Sequence, residues 1–456
     1  MKDYEVTAQA HQPARLTRTL NLRDLIFLIV GTVIGAGIFL VPGSVLSQVG
    51  NSVPISLAVW IGGGVLTLLG ALTYGELSTI KPEAGGIYIY LRDCFGRFPA
   101  FLYGWAFFFV ISSGSAATLA VAFSRNLGEV IPLSPLANKI SAIAMIAVVA
   151  AVNVRGTRQS ANLQNVTTAI KVSALILMSV VLLWFGARSG VDHQPTVAPG
   201  ASTGLSLFSG IGLAMIGVLW AYEGWQYATF SAGETLDSRR NFPRAFLVGT
   251  LALIGIYLLA NLAYIAALGP SEVAISKSVA ADSVAALIHP RLRSVVALLI
   301  ATSVFTAANG LTLTSPRVYY AMANDGLFFR KLAEVHPKFG TPAFAVIAGA
   351  LWASLLAAYG SFEQLFNAVV FTGWIFYGLA AACLFVYRRK AIGSQDAYKT
   401  PGYPITPIVF ILAAAALVIN SIISQPVLSG LGIGIVLLGA PAFLIWRSRS
   451  NAPKLT

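Results

Sequence analysis

Charge is scarce in this sequence. Asp, Glu, Lys and Arg make up 10% of its 456 residues, against roughly 25% in soluble domains. A soluble fold of this length cannot build a polar exterior from so few charges. Soluble enzymes, nucleic-acid binders and disordered scaffolds are therefore excluded. Cysteine is almost absent: Cys94 and Cys383 lie far apart, so neither a disulfide framework nor a metal-ligand spacing is expected. Histidine occurs only at His11, His193, His289 and His336, all read as loop or terminal positions. No His-Glu-x-x-His pattern and no P-loop is present, so a metal site, a membrane-embedded enzyme and ATP-driven pumping are not expected. Repeated pore segments and charge rings are also missing, which argues against a channel. No cofactor is expected. The polar N-terminus has no short apolar core with a small-residue cleavage site, so the first apolar run is expected to remain as a membrane span.

Apolar residues fill the space that charge leaves. They account for 57% of the chain, and the mean hydropathy is +0.77. A bilayer core needs about 20 apolar residues per helix. Twelve stretches meet that need, at 24–48, 53–79, 99–125, 139–154, 161–187, 207–232, 243–269, 294–322, 343–360, 364–387, 404–423 and 428–446. The runs are continuous rather than alternating with period two, which excludes a barrel. With the N-terminus placed in the cytoplasm, 23 of the 30 Lys and Arg fall in inside segments, six fall outside, and Lys171 falls within a span. That bias predicts twelve spans with both termini inside. The net charge of +13 is thus a topology signal and not a nucleic-acid footprint. The largest outside segments, near 188–206 and 270–293, are too short for an ectodomain.

Two spans carry interruptions. The first reads LIFLIVGTVIGAGIFLVPGSVL, with Gly31, Gly35 and Gly37 at mid-membrane. Small residues serve close helix packing in membranes, or they mark a broken helix whose freed backbone groups bind something polar. The sixth span holds WAYEGWQY, with Glu223 and Gly224 between aromatic residues. A mid-membrane carboxylate costs several kcal/mol unless it is neutralised, paired or hydrated. Glu223 is either a protonated group bonded to a neighbouring helix or part of a polar site in the bundle interior. Spans one and six are five apart. Interruptions at matching places in two halves of opposite topology are how carriers build a binding site. The N-terminus after GAG aims N–H groups at an anion, and freed carbonyls accept from a cation. A zwitterion satisfies both.

Lys171, in NVTTAIKVSALILMSVVLLW of span five, is the second costly charge. It either snorkels to an interface or is buried, where it exchanges protons or stands as a fixed charge. Trp220 sits beside the interruption and is a candidate gate. Trp374 in span ten and Asn309 in span eight either line the same cavity or serve packing and structural hydrogen bonding. Glu76 is expected at an interface or packed on a loop. Tyr88, Tyr90, Trp105, Trp352 and Trp446 are expected to be packing or interface anchors.

Several runs carry a resemblance. GTVIGAGIF at 31–39 resembles the first-helix G-[ST]-G-I-F motif of the amino acid–polyamine–organocation (APC) superfamily. WAYEGWQY with the following SAGETLDSRRNFPRA, TSPRVYYAMANDGLFFRKLAEVHPKFGTP at 314–342 and YKTPGYPITPIVF at 398–410 resemble its helix six, its helix eight with the next loop, and its helix eleven. Lys171 points further, to the L-amino-acid transporter (LAT) family and related bacterial proton-linked carriers.

The resemblance implies an all-α, LeuT-type fold with a five-plus-five inverted repeat and helices 1 and 6 broken. A cytoplasmic tail over 1–23 precedes a transport core over 24–388. Helices 11 and 12 follow over 389–446, then a cytoplasmic tail over 447–456. The implied localisation is the plasma membrane. The implied activity is secondary transport of neutral L-amino acids by alternating access, either as exchange or coupled to protons. Gly35, Ala36 and Gly37 would meet the substrate carboxylate through N–H groups. Val33 or Ile34, with Trp220, Ala221 and Glu223, would surround the ammonium, and Gly224 would belong to the same substrate-binding site. Lys171 would replace the sodium ion of sodium-coupled relatives.

Two departures follow from the same resemblance. Ala36 stands where many relatives have Ser or Thr, and a hydroxyl to the carboxylate is lost. Glu223 stands where relatives of the heavy-chain-associated type have Gly, which biases the site towards proton coupling or towards cationic amino acids and amines. The segment NLGEVIPLSPLAN has no cysteine, so no disulfide-linked heavy chain is expected. The remaining partners expected are a small amino-acid substrate and membrane lipid.

Overall fold

The computed structural model describes residues 16–190, 205–360, 362–393, 397–424 and 426–450. His11, His193 and most of the expected 188–206 outside segment lie outside the described residues, as do parts of both expected tails. Among the described residues the chain is all-helical, and its one β contact is an isolated parallel bridge between Leu20 and Thr235.

The first helix opens on a reciprocal cap. The Asn21 side chain accepts from the Asp24 N–H, and the Asp24 carboxylate accepts from the Asn21 N–H, which satisfies two donors that a helix start leaves open. Helix α1 (Leu22–Val33) stops after Val33 and α2 (Gly37–Gln48) resumes at 49° to it. Then come α3 (Val53–Ile80), a short α4 (Ile87–Phe95) and α5 (Arg97–Ala106). A π-helical turn over Phe107–Ser112 joins α5 to α6 (Ser113–Gly128). Ser134 caps α7 (Pro135–Arg155) by accepting from the Ala137 N–H. After Gly156 the chain runs straight into α8 (Thr157–Gly186).

In the second half, α9 (Leu205–Ala221) breaks and continues as a 3₁₀ helix over Trp225–Glu234. It is followed by α10 (Ser238–Leu268) and by α11 (Pro270–Ile275) and α12 (Val279–Leu287). A longer run follows, α13 (Arg293–Thr314) and α14 (Pro316–Asn324), and then α15 (Ala343–Tyr359), α16 (Phe362–Arg389), α17 (Ile405–Ser424) and α18 (Pro426–Ser450).

All twelve stretches expected from the sequence fall on helix. Among the described residues, ten helical runs are long and apolar enough to cross a membrane, and the bent α1–α2 pair makes an eleventh if it is one span. Helix α15, at 17 residues, is apolar but shorter. The short α4, α11 and α12 had no counterpart in the hydropathy pattern.

The broken helices sit in the middle. Helix α1 packs against α8, α10 and α13, and α2 against α9. Helix α10 also lies along α3, and α13 lies between α6 and α8. Helices α17 and α18 attach from outside, on α3, α5 and α16. The periphery shows large apolar side chains to the surroundings, among them Leu136, Leu177, Trp184, Leu412 and Leu437, as lipid-facing surfaces require. Trp105 donates to the Ile435 carbonyl (3.0 Å) and Trp352 to the Phe109 carbonyl (2.9 Å). Trp446 packs on Phe101, Phe328 and Phe329. Tyr88 donates to Asp325 at 2.8 Å and Tyr90 meets Ser78 at 3.1 Å.

Glu76 is buried and packs on a loop: it accepts from Arg388 and from the Thr400 N–H. Cys94 and Cys383, distant in sequence, are neighbours in space, with the Cys94 thiol 3.6 Å from the Cys383 carbonyl. Both are free.

Candidate functional site

The two breaks face each other. Helix α1 loses its register at Ile34, Gly35 and Ala36, and the Gly35 N–H bonds back to the Val33 carbonyl at 2.8 Å. The three glycines divide the two roles that the sequence left open. A Cβ at Gly31 would collide with the side chains of Gln164 and Thr168 on α8, and one at Gly37 would lie 2.8 Å from Ala221 on α9. These two glycines permit close packing. A Cβ at Gly35 would meet nothing nearer than the Leu119 side chain at 3.8 Å, an ordinary contact, so close packing does not require glycine there.

In the second break, Gly224 has φ 124°, a left-handed conformation that favours glycine. A Cβ there would also lie 3.1 Å from the Thr32 backbone. Gly224 therefore lets the second break approach the first.

A cavity of about 80 Å³ lies between the breaks. From the first break Thr32, Val33, Gly35, Ala36 and Gly37 line it. From the second come Trp220, Ala221, Glu223 and Gly224. Ser115, Thr118 and Leu119 of α6, Tyr227 of the 3₁₀ helix, Ala307 and Leu311 of α13 and Val369 of α16 close it. The N-terminus of α2, whose first N–H groups have no intrahelical partner, opens onto this space. One oxygen of the lining side chain Glu223, Oε2, has no hydrogen-bond partner among the described residues; the Thr32 hydroxyl turns instead towards Gly310 and Gln164, with its methyl group towards Gly224. The other carboxylate oxygen of Glu223 accepts from Tyr377 at 3.0 Å. An unbonded buried oxygen is costly, and Glu223 Oε2 is such an atom beside the cavity.

Lys171 does not reach for an interface. It is 1% exposed and lies behind the cavity, outside its lining. Its Nζ donates to the Gly31 carbonyl at 2.6 Å, to the Ile34 carbonyl at 2.5 Å and to the Ser303 carbonyl at 3.3 Å. The Ser303 hydroxyl reaches the Ile34 and Gly35 carbonyls at 2.9 and 3.1 Å. The ammonium thus takes carbonyls that the break in α1 releases. Tyr257 of α10 performs the same task across both breaks. Its hydroxyl lies 2.7 Å from the Ala221 carbonyl and 3.3 Å from the Val33 carbonyl.

Not every candidate meets the cavity. Ile34 is fully buried, and its carbonyl turns towards Lys171 and Ser303. Asn309 belongs to a buried network with Asn153, Ser160 and Gln164. Trp374 packs on Tyr377 and Phe410, away from the lining. The sequence reading did not single out Thr32, Ser115, Thr118, Tyr227, Tyr257, Ser303 or Tyr377. Thr32 lay inside the GTVIGAGIF motif and Tyr227 at the end of WAYEGWQY, so both carried a signal; the others sit on helices whose facing side only the packing reveals.

Beyond the cavity, past the 3₁₀ helix, lies a buried ionic cluster. Glu234, at the end of the 3₁₀ helix, accepts from Arg317 Nε at 2.5 Å, from Arg317 Nη2 at 2.8 Å and from Thr157 at 2.8 Å. Glu234 and Arg317 are both almost fully buried. The Thr19 and Leu20 N–H groups bond to the Glu234 carbonyl, and Leu236 bonds back to Leu20. Nearby, Asp24 holds Arg158 and Asn165.

Comparison with known proteins agrees with this architecture. The amino acid permease family model matches residues 20–445. The serine/threonine exchanger SteT of Bacillus subtilis is 29% identical over 437 residues, covering 95% of this chain and 98% of its own length. The human b(0,+)-type amino acid transporter 1 is 32% identical, covering 93% of this chain and 87% of its own length. The human large neutral amino acids transporter small subunit 2 is 30% identical, covering 96% and 82%. These relatives are transporters and not enzymes. The helical architecture, the paired breaks and the match over nearly the whole length establish that the chain belongs to the amino acid permease family of the APC superfamily.

Proposed function

We infer that the protein is a secondary carrier of neutral L-amino acids working by alternating access, as an exchanger or coupled to protons. The observation that carries this reading is the cavity between the two helix breaks. It offers backbone N–H groups at the start of α2 to a carboxylate and the unbonded Oε2 of Glu223 to an ammonium. In this reading Gly35, Ala36 and Gly37 take the carboxylate, and Val33, Ala221, Glu223 and Gly224 surround the ammonium. Trp220 acts as the gate, and Lys171 acts as the fixed charge in place of a coupling ion. Transport of amino acids by the relatives supports the substrate class.

The proposed frame is twelve spans with both termini in the cytoplasm of a plasma-membrane protein. Helices 1–10 form an inverted repeat over 24–388, with helices 11 and 12 over 389–446 attached to it. The absence of cysteine between α6 and α7 supports a chain that works without a disulfide-linked heavy chain.

A second reading rests on Glu223 Oε2, the unbonded carboxylate oxygen at the cavity, which attracts a cationic amino acid or amine. Uptake of labelled alanine into proteoliposomes, challenged by unlabelled alanine, leucine, arginine and an amine, separates the two. Inhibition by neutral amino acids alone supports the first reading. Inhibition by arginine or the amine that Glu223→Gln abolishes supports the second.

A further inference from the structure

Six basic residues lie on the side that the charge bias makes the outside. Three of them, Arg125, Lys277 and Arg293, line one cavity of about 350 Å³. Arg293 is neutralised by Asp282, with Nη2 2.6 Å from the carboxylate. Arg125 and Lys277 form no ion pair among the described residues, and neither does Glu129, the one acidic residue of the lining. With Arg293 paired and Glu129 offsetting one charge, the lining keeps an excess of positive charge, which favours an anion in this space.

The charged cavity stacks on the central one. Gly37 and Leu119 line the central cavity. Leu40 and Ala122, one helical turn further along α2 and α6, line the charged one. Helix α13 runs the other way, and there Ile300 lies two turns before Ala307. A turn rises about 5 Å, so the two spaces are about one substrate length apart. The Glu234–Arg317 ion pair lies on the opposite side of the central cavity.

We propose that this cavity is a loading site. Arg125 and Lys277 capture the α-carboxylate of an incoming amino acid, and Glu129 accepts from its ammonium, before the molecule moves one turn inward. The inference deepens the amino-acid reading and rests on it. Arg125, Glu129, Lys277 and Arg293 are exposed to solvent, so the excess positive charge acts by steering an anion to the cavity and speeding association, an effect that salt screens. The excess of positive charge also disfavours amino acids with cationic side chains.

The test compares the full-length protein with Arg125→Gln/Lys277→Gln, and with Lys277→Gln alone as the milder loop variant, in proteoliposomes. At low ionic strength the double variant is expected to show a KM for alanine raised about threefold to tenfold with unchanged maximal rate. That gap is expected to close at high salt, where the Debye length falls to about 3 Å. Equal KM and equal salt dependence in all three proteins would overturn the proposal.

A second readout needs no transport. Acetate, as a bare carboxylate probe, is expected to raise the melting temperature of the wild type in detergent more than that of the double variant, relative to chloride. Equal shifts overturn the loading site. If the wild type carries no amino acid at all, the transport reading fails, and the acetate comparison still decides this one.

Discussion

Lys171→Met removes the ammonium and keeps an unbranched side chain. Three carbonyls lose their donor, but unequally. The Ile34 carbonyl keeps the Ser303 hydroxyl at 2.9 Å, and the Ser303 carbonyl sits within a continuous helix. The Gly31 carbonyl keeps nothing, because the N–H of Gly35 that would close its helical turn bonds to Val33 instead. One charged hydrogen bond of about 1.5–3 kcal/mol is therefore lost without replacement. At 1.4 kcal/mol per factor of ten, the balance between arrangements of the α1 break shifts by about tenfold to 150-fold. Removing a buried charge offsets part of the loss in overall stability, so the variant is expected to fold with a melting temperature within several degrees of wild type. Amino-acid uptake into proteoliposomes is expected to fall at least tenfold. A Lys171→Met protein that transports at the wild-type rate, with the same response to a proton gradient, would refute the role given to this residue.

Gly224→Ala meets both a left-handed φ and the Thr32 backbone at 3.1 Å; it is expected to lose about 1–3 kcal/mol, seen as a lower melting temperature and reduced binding. Tyr257→Phe strips the shared donor from the Ala221 and Val33 carbonyls and is expected to slow uptake about tenfold while the protein elutes normally on size-exclusion chromatography. Arg317→Met leaves Glu234 buried and unpaired, a loss of about 3–5 kcal/mol. Thermal unfolding in detergent should show it, with partial recovery in Arg317→Met/Glu234→Gln.

The sequence carried the membrane-span pattern because span length is set by bilayer thickness and apolar runs report it directly. It also located the breaks, since Gly35 and Gly37 in one span and Gly224 beside Glu223 in another are local features of backbone and charge. Lys171 and Glu223 stood out because a charge in lipid is conspicuous wherever it falls. What these groups touch was not legible. Lys171 meets Gly31 and Ile34 across about 140 positions, and Glu223 meets Tyr377 across 154. Such pairs depend on helix rotation and packing. A polar residue on an apolar helix gives the same pattern whether it lines a cavity, as Thr118 does, or joins a buried network, as Asn309 does. The Arg317–Glu234–Thr157 cluster escaped for the same reason: its members sit at span ends, where charge is ordinary.

The most direct test of the account is uptake of labelled alanine by proteoliposomes containing only the purified protein. Empty and alanine-preloaded vesicles are compared, each with and without an inward proton gradient. The account predicts uptake above protein-free vesicles, driven either by preloading or by the gradient, and its loss in Lys171→Met. Uptake no greater than in protein-free vesicles under all four conditions, with any of several neutral amino acids as label, would contradict it.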